Sequence, residues 1–523
     1  MTGDGAAAPP PVNRWIVAIS VMAGTFMVVL DTTVVNVSLP HIAGSLSASV
    51  EEATWALTTY LAANAIILPI TGWLANHFGR KRLLLFSVVG FTSASLLCGV
   101  ALNLFMMVVF RVIQGLCGGL MQPLSQAVML EAFAPEERGK AMAFWGLGIV
   151  VAPIMGPVLG GWLTTNWSWR WVFYINLPVG VIAVVMTVLF IFDPPYIRRR
   201  SERIDYWGIG LLAVGIGALQ VGLDRGQEND WFASRMVTVL LITAAVSLLA
   251  MFARELTVRN PVVELAVFRE RTYSTGVVLI TLMGAVLYGN LVLLPIMLQT
   301  VMGYSAYPAG LVMAPRGLGT FIAMPIVGFL IDRIDGRKML ASGFLVGAIT
   351  MFWLARINTD AGFWDLFWPQ FVQGVAFGML FVPLTTVTMD PVPNEGMGNA
   401  TSLFNLMRNI GGSFGIALIQ TFAVRQRQVH TNTLVAHITP YSESTRLMLE
   451  RLKAAFMAAG ADAATAAERA RAAVWGMVQK QAAVLSFLDS FHVLGLVFLI
   501  IVPLAFLMRR PRSGRPGPAA AGE

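Results

Sequence analysis

Charged residues are scarce in this sequence, and their scarcity defines the class of protein. Only 12% of the 523 residues are Asp, Glu, Lys or Arg, whereas 56% are hydrophobic. A soluble chain usually has about a quarter of its residues charged. The apolar residues come in blocks of about 20, the length needed to cross a hydrocarbon core of about 30 Å. The composition therefore excludes an ordinary soluble fold and predicts an all-α polytopic membrane protein.

Cysteine and histidine are also rare, which excludes several kinds of active site. The two cysteines, Cys98 and Cys117, both lie inside apolar blocks, so we expect neither a disulfide nor a metal site. The five histidines are scattered, and no Ser-His-Asp, zinc or phosphate-loop spacing appears. The basic residues form short clusters between the apolar blocks, which argues against a nucleic-acid partner. We therefore expect no enzyme, no metal and no cofactor.

The apolar blocks predict fourteen membrane-spanning helices. The segments on the side of the two termini contain 21 Lys and Arg, against four in the short segments on the opposite side. By the positive-inside bias, both termini are expected to be cytoplasmic. The predicted spans are 15–38, 53–74, 83–102, 104–130, 142–162, 172–192, 206–223, 236–253, 274–299, 307–331, 339–355, 364–388, 401–424 and 487–508.

A pattern that occurs twice divides the chain into two halves. Arg111-x-x-Gln114-Gly115-x-x-x-Gly119 in the fourth span returns, 259 residues later, as Gln370-x-x-Gln373-Gly374-x-x-x-Gly378 in the twelfth. Two six-helix halves around a midplane site are typical of transporters that work by alternating access. The predicted parts are a disordered cytoplasmic tail at 1–13, an N-terminal half at 14–193, a linker with two extra spans at 194–272, a C-terminal half at 273–508 and a second disordered tail at 509–523.

A polar segment at 425–486 separates the last two predicted spans. It is rich in Ala, Arg and Glu, and we predict an external helical hairpin that is broken at Gly460. Two interpretations remain open. The hairpin is either a solvated element without activity of its own, or a docking or gating element.

Four ionisable residues lie deep inside the predicted spans: Asp31, Arg111, Arg316 and Arg408. Charges at that depth are costly, so they usually face the protein interior and have a function. With a rise of about 1.5 Å per residue, Asp31 and Arg111 both lie about 12 Å below the outer ends of their helices. We predict that Asp31 takes up and releases a coupling proton, while Arg111 controls its proton affinity. A permanent structural ion pair is the alternative.

Several motifs resemble those of a known family. Leu30 to Pro40 resembles the first-helix signature of the fourteen-spanner drug:proton antiporters of the major facilitator superfamily, the EmrB/QacA kind. Arg111 to Gly119 resembles that family's motif linked to proton transfer, and Gly148 to Gly161 resembles its antiporter motif. The resemblance implies proton-driven export of small lipophilic compounds through a bacterial inner membrane. It also implies a periplasmic adaptor and an outer-membrane channel as partners.

Two other functions are weighed against export. An uptake symporter of the same fold would usually offer several polar or acidic groups to its substrate and would lack the antiporter motif. A receptor or scaffold that transports nothing would leave the buried charges unexplained.

The glycines and prolines of the motifs are expected to serve packing and gating, because small residues let helices approach closely. In the family that the motifs resemble, an acidic residue usually stands where this chain has Asn76. This departure argues against a charge-based latch in the first half, whereas Asp332 leaves one open in the second. The gating and packing candidates are Gly72, Asn76, Gly79, Arg80, Gly148, Pro153, Gly156, Pro157, Gly160, Gly161, Asp332, Gly336 and Arg337.

A substrate cavity is expected between the two halves. Three deep arginines stand against one aspartate, so the cavity should be electropositive and favour lipophilic neutral compounds or weak acids over dications. Alternatively, Arg316 and Arg408 bond only to backbone carbonyls or helix ends. Flexible Met and aromatic side chains would suit broad specificity. The cavity candidates are Asn36, Gln114, Tyr288, Met297, Arg316, Phe377, Asn405 and Arg408.

Overall fold

The computed structural model describes residues 13–193, 205–258, 261–331, 333–439 and 441–509. These residues form helices and connecting turns and contain no strand, which confirms the all-α prediction for this part of the chain. Apart from Asn13 and Arg509, the predicted tails lie outside the described residues, and so does Asp332.

Eighteen α-helices follow one another along the described chain. They are α1 Arg14–Ser45, α2 Val50–Ala53, α3 Trp55–Ile67, α4 Thr71–Phe78, α5 Arg80–Gly99, α6 Leu104–Ala132, α7 Arg138–Asn166, α8 Trp171–Tyr174, α9 Asn176–Phe190, α10 Tyr206–Gly226, α11 Arg235–Glu255, α12 Arg271–Thr300, α13 Ala306–Leu330, α14 Gly336–Leu354, α15 Phe363–Met389, α16 Met397–Ala436, α17 Glu443–Ala458 and α18 Ala463–Ile501. The 3₁₀ segments are Leu68–Ile70, Pro135–Glu137, Trp231–Ala233, Leu265–Arg269, Asn394–Gly396 and Val502–Leu507.

Twelve helical segments of the described chain are long and apolar enough to cross a membrane, so the predicted count of fourteen is not confirmed. The two predicted spans that do not qualify, 339–355 and 401–424, nevertheless lie in helices, α14 and α16. Basic residues at the start of α14 and polar residues along α16 lower their apolar content. Both helices pack inside the bundle, α14 against α15 and α18, and α16 against α12 and α18.

The turn between α4 and α5 depends on a glycine. Gly79 has φ of +87°, a left-handed conformation that L side chains rarely adopt. A Cβ at this position would also lie 2.6 Å from a carboxylate oxygen of Asp193. That carboxylate accepts a hydrogen bond of 2.8 Å from the Lys81 backbone N–H, so it joins the start of α5 to the end of the N-terminal half.

The polar segment at 425–486 is helical on both sides of the predicted break at Gly460, and its outer helices continue those of the bundle. α16 runs on to Ala436, and α18 begins at Ala463 and extends into the bundle without a break. Between them, α17 ends before Gly460, which has φ of +93°. A contact of 2.7 Å between His430 Nε2 and Asp489 Oδ2 joins α16 to α18 at the base of this projection. We call residues 425–486 the projection.

Glycines allow the closest helix contacts. A Cβ at Gly415 of α16 would lie 2.1 Å from the backbone oxygen of Ala285 of α12, and a Cβ at Gly411 equally close to that of Thr281. In α7, Gly156 and Gly160 leave room for Thr33 and Val34 of α1 in the same way. Small residues therefore bring backbones together in both halves, as is usual in membrane bundles.

The two halves meet at the end of the bundle that carries Arg14 and Arg509, which we call the terminal face. Here the Arg138 guanidinium donates to the Asn394 amide oxygen at 3.2 Å, and the Thr401 hydroxyl to the Pro123 carbonyl at 3.2 Å. A Cβ on Gly72 would lie 2.6 Å from the Asn399 backbone, so glycine is needed for this contact as well. We call the opposite end, where the projection emerges, the projection face.

The inserted helices α10 and α11 bridge the halves near the projection face. On the N-terminal side, Arg225 donates to the Thr54 hydroxyl at 2.9 Å, and Asp224 accepts from Thr58. On the C-terminal side, the Trp231 indole donates to the Thr421 hydroxyl at 2.8 Å. The inserted pair therefore contacts α3 of one half and α16 of the other.

At the terminal face, an ion pair of 2.8 Å between Arg254 and Asp205 fastens α11 to the start of α10. The hydrogen bonds from Arg254 hold the pKa of the Asp205 carboxyl below its usual value.

Candidate functional site

The centre of the N-terminal half contains a buried carboxylate with three hydrogen-bond donors. Arg111 Nη1 of α6 donates to Asp31 Oδ2 of α1 at 2.6 Å. Gln114 Nε2, one turn further along α6, donates to Asp31 Oδ1 at 3.0 Å, and Asn176 Nδ2 of α9 donates to the same oxygen at 2.8 Å. Asp31, Arg111, Gln114 and Asn176 are each at most 1% exposed. The structure therefore brings the two residues predicted for proton coupling into direct contact.

Arg111 is held in place by α3 as well as by Asp31. Its Nε donates to the Ala56 backbone carbonyl at 3.0 Å, and its guanidinium carbon lies 4.1 Å from the centroid of the Tyr60 ring. Gly115, next to Gln114, allows this approach, because a Cβ there would lie 2.4 Å from the Tyr60 carbonyl oxygen. The glycine of the fourth-span motif thus positions the arginine of the same motif.

Asn176 and Ser95 complete the site and were not predicted from the sequence. Asn176 Nδ2 also donates to the Ser95 hydroxyl at 2.9 Å, and that hydroxyl donates to the Phe173 carbonyl at 2.9 Å. Asn176 is the first residue of α9, and the sequence does not indicate which helix its side chain faces. A polar residue at the start of an otherwise apolar span was the one available signal.

The two charges of the site stabilise each other. Three donors stabilise the ionised carboxylate, and the carboxylate in turn neutralises a guanidinium that has no contact with bulk water. Arg111 Nη2 and Asn176 Oδ1 are buried without a hydrogen-bond partner among the described residues. Protonation of Asp31 would leave Arg111 a buried cation without a counter-ion, which is costly enough to favour a rearrangement.

Two of the predicted cavity residues join the halves. Arg408 Nη2 of α16 donates to the Gln122 side-chain oxygen of α6 at 2.8 Å, and Asn405 Nδ2 to that of Gln126 at 2.5 Å. Asn405 is fully buried and Arg408 is 6% exposed. These amide and guanidinium contacts join α16 of the second half to α6 of the first half.

The other cavity candidates are dispersed. Arg316 of α13 lies over the Phe377 ring, with its guanidinium carbon 5.2 Å from the centroid, and its Nη1 is buried without a hydrogen-bond partner among the described residues. Tyr288 packs against Gly412, Met297 is 1% exposed within the core, and Asn36 is exposed. Gln114 belongs to the Asp31 site.

The turn after α4 contains a charged contact that the sequence did not predict. Arg80 is buried and forms an ion pair with Glu131, at the end of α6. The half-buried Asn76 therefore does not deprive the first half of an ionic contact at this turn, because the carboxylate comes from another helix. In the second half, Arg337 pairs with Asp335 at 2.7 Å and donates to the Met508 carbonyl at 3.4 Å.

The remaining packing candidates differ in how closely other helices approach them. A Cβ at Gly148 would meet the Met22 side chain, and a Cβ at Gly336 would meet that of Val387, whereas a Cβ at Gly161 has nothing within 4 Å. Pro153 is half-buried in α7, and Pro157 lies in the same helix.

The architecture and this site together define a polytopic helical membrane protein whose first half contains the buried ion pair of Asp31 and Arg111. The profile of the Major Facilitator Superfamily matches residues 21–416. The chain therefore belongs to the major facilitator superfamily, on the branch of the EmrB proteins, and the resemblance seen in its motifs is confirmed.

Relatives with recorded names cover nearly the whole chain. The multidrug export protein EmrB of Escherichia coli is 36% identical over 507 residues, which are 97% of each chain. EmrB of Haemophilus influenzae is 42% identical over 84% of this chain and 87% of its own. The fatty acid resistance protein FarB of Neisseria gonorrhoeae is 36% identical over 96% of this chain and 97% of its own.

Solved structures support the fold at low identity. The human organic anion transporter MFSD10 superposes with a TM-score of 0.62 at 12% identity, covering 96% of this chain and all of its own. The proton:xylose symporter XylE gives a TM-score of 0.57 at 16% identity, covering 95% and 99%. At these identities the similarity concerns the fold alone.

The contact between Asp31 and Arg111 predicts non-additive stability. Asp31→Asn and Arg111→Gln should each destabilise the protein by about 3 kcal/mol, because each leaves one buried charge unpaired. The double variant should lose about 1 to 3 kcal/mol less unfolding free energy than the two single variants lose together. Thermal melts of the four purified proteins in detergent measure this coupling. The control cycle pairs Asp31→Asn with Arg254→Gln on α11 and should be additive; an additive Asp31/Arg111 cycle would exclude an energetic link.

Proposed function

We propose that this protein is a proton-coupled antiporter that exports small lipophilic compounds across a bacterial inner membrane by alternating access. The observation that carries the proposal is the sealed Asp31 site, in which one carboxylate holds an arginine from a different helix. The names of the EmrB relatives, which are multidrug export proteins, support export as the direction. No cofactor is needed, because the proton gradient supplies the free energy.

The coupling step follows from the cost of unpaired charge. A proton that reaches Asp31 neutralises it, and Arg111 then loses its counter-ion while Gln114 and Asn176 lose a charged acceptor. A rearrangement of α1 against α6 and α9 that gives Arg111 another partner then becomes favourable. Release of the proton on the other side restores the ion pair. Transport is tied to protonation because each arrangement suits one charge state.

The orientation of the protein in the membrane follows from the distribution of its basic residues. With both termini in the cytoplasm, the terminal face is the cytoplasmic one. The contacts of Arg138 with Asn394 and of Thr401 with Pro123 then close the two halves toward the cytoplasm. This arrangement corresponds to the stage at which exported compound leaves on the outer side.

The second half supports a preference for lipophilic neutral compounds and weak acids. Arg316 lies on an aromatic ring, and its Nη1 is buried without a hydrogen-bond partner among the described residues, so it is available to an anionic or polar group of a substrate. Arg408 adds a second cation near the interface of the halves. FarB, a fatty acid resistance protein, is a relative whose name fits such a compound.

The projection supports a periplasmic partner. It extends α16 and α18 beyond the projection face, and its helix α17 has no buried residue. We propose that it docks a periplasmic adaptor, which connects the transporter to an outer-membrane channel.

Proton coupling predicts that Asp31 is indispensable for uphill transport. Asp31→Asn keeps the shape of the side chain but removes the titratable proton. In proteoliposomes with an imposed pH gradient, we expect gradient-driven efflux to fall to background while downhill exchange of compound persists. Asp360→Asn, in the exposed segment between α14 and α15, serves as the control. Full gradient-driven efflux by Asp31→Asn would overturn the proposed coupling.

The electropositive cavity predicts a preference among substrates. Wild-type vesicles should transport a lipophilic weak acid well and a bis-quaternary dication poorly. Arg316→Ala should lower transport of the acid about tenfold, because a charge-assisted hydrogen bond is lost. Arg356→Ala, in the exposed segment between α14 and α15, should leave it unchanged. Strong dication transport by the wild type, with no handling of the acid, would contradict this preference.

If the projection docks an adaptor, removing it should impair drug resistance in cells but not transport in vesicles. A variant with residues 431–482 replaced by a short Gly-Ser linker keeps His430 and Asp489 at the base. It should transport normally in vesicles but lose drug resistance in cells that contain the adaptor. The control replaces residues 459–462 at the turn alone. If the folded deletion variant is inactive in vesicles, the projection acts in gating instead.

A further inference from the structure

The second half contains a counterpart of the Asp31 site. The offset of 259 residues that relates the motifs places Asn290, Gln370 and Gln373 where the first half has Asp31, Arg111 and Gln114. The structure joins two of these three residues: Asn290 on α12 donates from Nδ2 to Oε1 of Gln373 on α15 at 3.1 Å. All three side chains are fully buried.

The counterpart differs from the Asp31 site in charge. Asn290 replaces the carboxylate, and Gln370 replaces the guanidinium, so both members of the ion pair are neutral amides of similar size. A buried carboxylate without a cation would be very costly, and so would the reverse, which explains why both positions are neutral together. Helix packing is similar as well, because a Cβ at Gly374 would lie 1.9 Å from the Arg316 carbonyl oxygen, just as Gly115 meets the carbonyl of Tyr60.

Several polar atoms of this triad are not satisfied by the protein. Both side-chain polar atoms of Gln370 and the Oδ1 of Asn290 are buried without a hydrogen-bond partner among the described residues. Buried amide groups are nearly always bonded, and where the protein does not supply the partner, ordered water usually does. The neutral triad is therefore suited to bind water and has no group that would exchange a proton near neutral pH.

The charged groups around the triad provide no substitute carboxylate. Arg316 of α13 and Arg408 of α16 are the nearby cations of the second-half interior. Asp489 of α18 pairs with His430 at the base of the projection and is partly exposed. The other described carboxylates of helices α12 to α16 lie at helix ends or in connections, at Glu270, Asp335, Asp360, Asp365, Asp390 and Glu395.

We propose that Asn290, Gln370 and Gln373 form a charge-free copy of the proton site, which holds water but no exchangeable proton, so that a single proton crosses per cycle through Asp31. The number of protons transported per cycle rests on the proposed function. The number of proton-binding sites rests on the structure alone. Restoring the pair by Asn290→Asp together with Gln370→Arg should create a second proton site.

The proton count is tested by infrared difference spectroscopy of pH-titrated protein in liposomes. All variants carry Glu255→Gln, because Glu255 at the end of α11 is also buried. In this background the otherwise wild-type protein should show the signal of one buried carboxyl group, and Asp31→Asn should lose it. The recharged double variant should show two signals, and one should remain when Asp31→Asn is added to it. A buried carboxyl signal that persists in Asp31→Asn, or a folded recharged variant without a second signal, would overturn the proposal. If the recharged variant is not monodisperse, the wild-type and Asp31→Asn spectra decide.

The transport consequence is tested with the membrane potential clamped at zero and a pH difference of one unit across proteoliposomes. Flux of the neutral dye Nile red should reverse direction at an about tenfold dye gradient for one proton, and at about hundredfold for two. We expect about tenfold for the wild type, and a wild-type reversal near hundredfold would overturn the proposal. Dye flux that ignores the pH gradient would reject the proposed proton coupling, while the infrared count would still decide whether the triad binds a proton.

Discussion

The pairing of Asp31 with Arg111 is the constraint on which the first half depends. Neither charge is tolerable alone at that depth, so α1 and α6 must lie where the carboxylate and the guanidinium meet. The surrounding helices then complete the hydrogen bonds, α9 through Asn176 and α3 through the Ala56 carbonyl. A single ion pair thus organises four helices, and protonation of Asp31 would alter a contact of each of them.

Glycines make that arrangement geometrically possible. Gly115 lets α6 lie against α3, and Gly156 and Gly160 let α7 lie against α1, the helix that carries Asp31. In the second half, Gly374 has the corresponding place, but the polar triad nearby carries no charge. The two halves therefore share the packing of the site and differ in its charge.

The connections between the halves are divided between the two faces. At the terminal face the halves touch directly, through polar contacts such as Asn405 with Gln126. Near the projection face the inserted α10 lies between them, bonded to Thr54 on one side and reaching Thr421 through Trp231 on the other. Thr421 lies on α16, which continues into the projection, so the same helix contacts the inserted pair and carries the surface proposed for the partner.

The sequence by itself determined the class of protein, the positions of the helices, the repeat of the halves, and Asp31 and Arg111 as the deep charges, because hydropathy and the rarity of buried charge are local signals. The predicted count of fourteen spans is not confirmed, because α14 and α16 are less apolar than the other long helices, although both pack inside the bundle. Only the tertiary structure decided that Asn176 and Ser95 complete the site, that Arg80 pairs with Glu131, and that Asn290 meets Gln373. Those contacts depend on how each helix is rotated toward neighbours distant in sequence, and the local pattern does not encode that rotation.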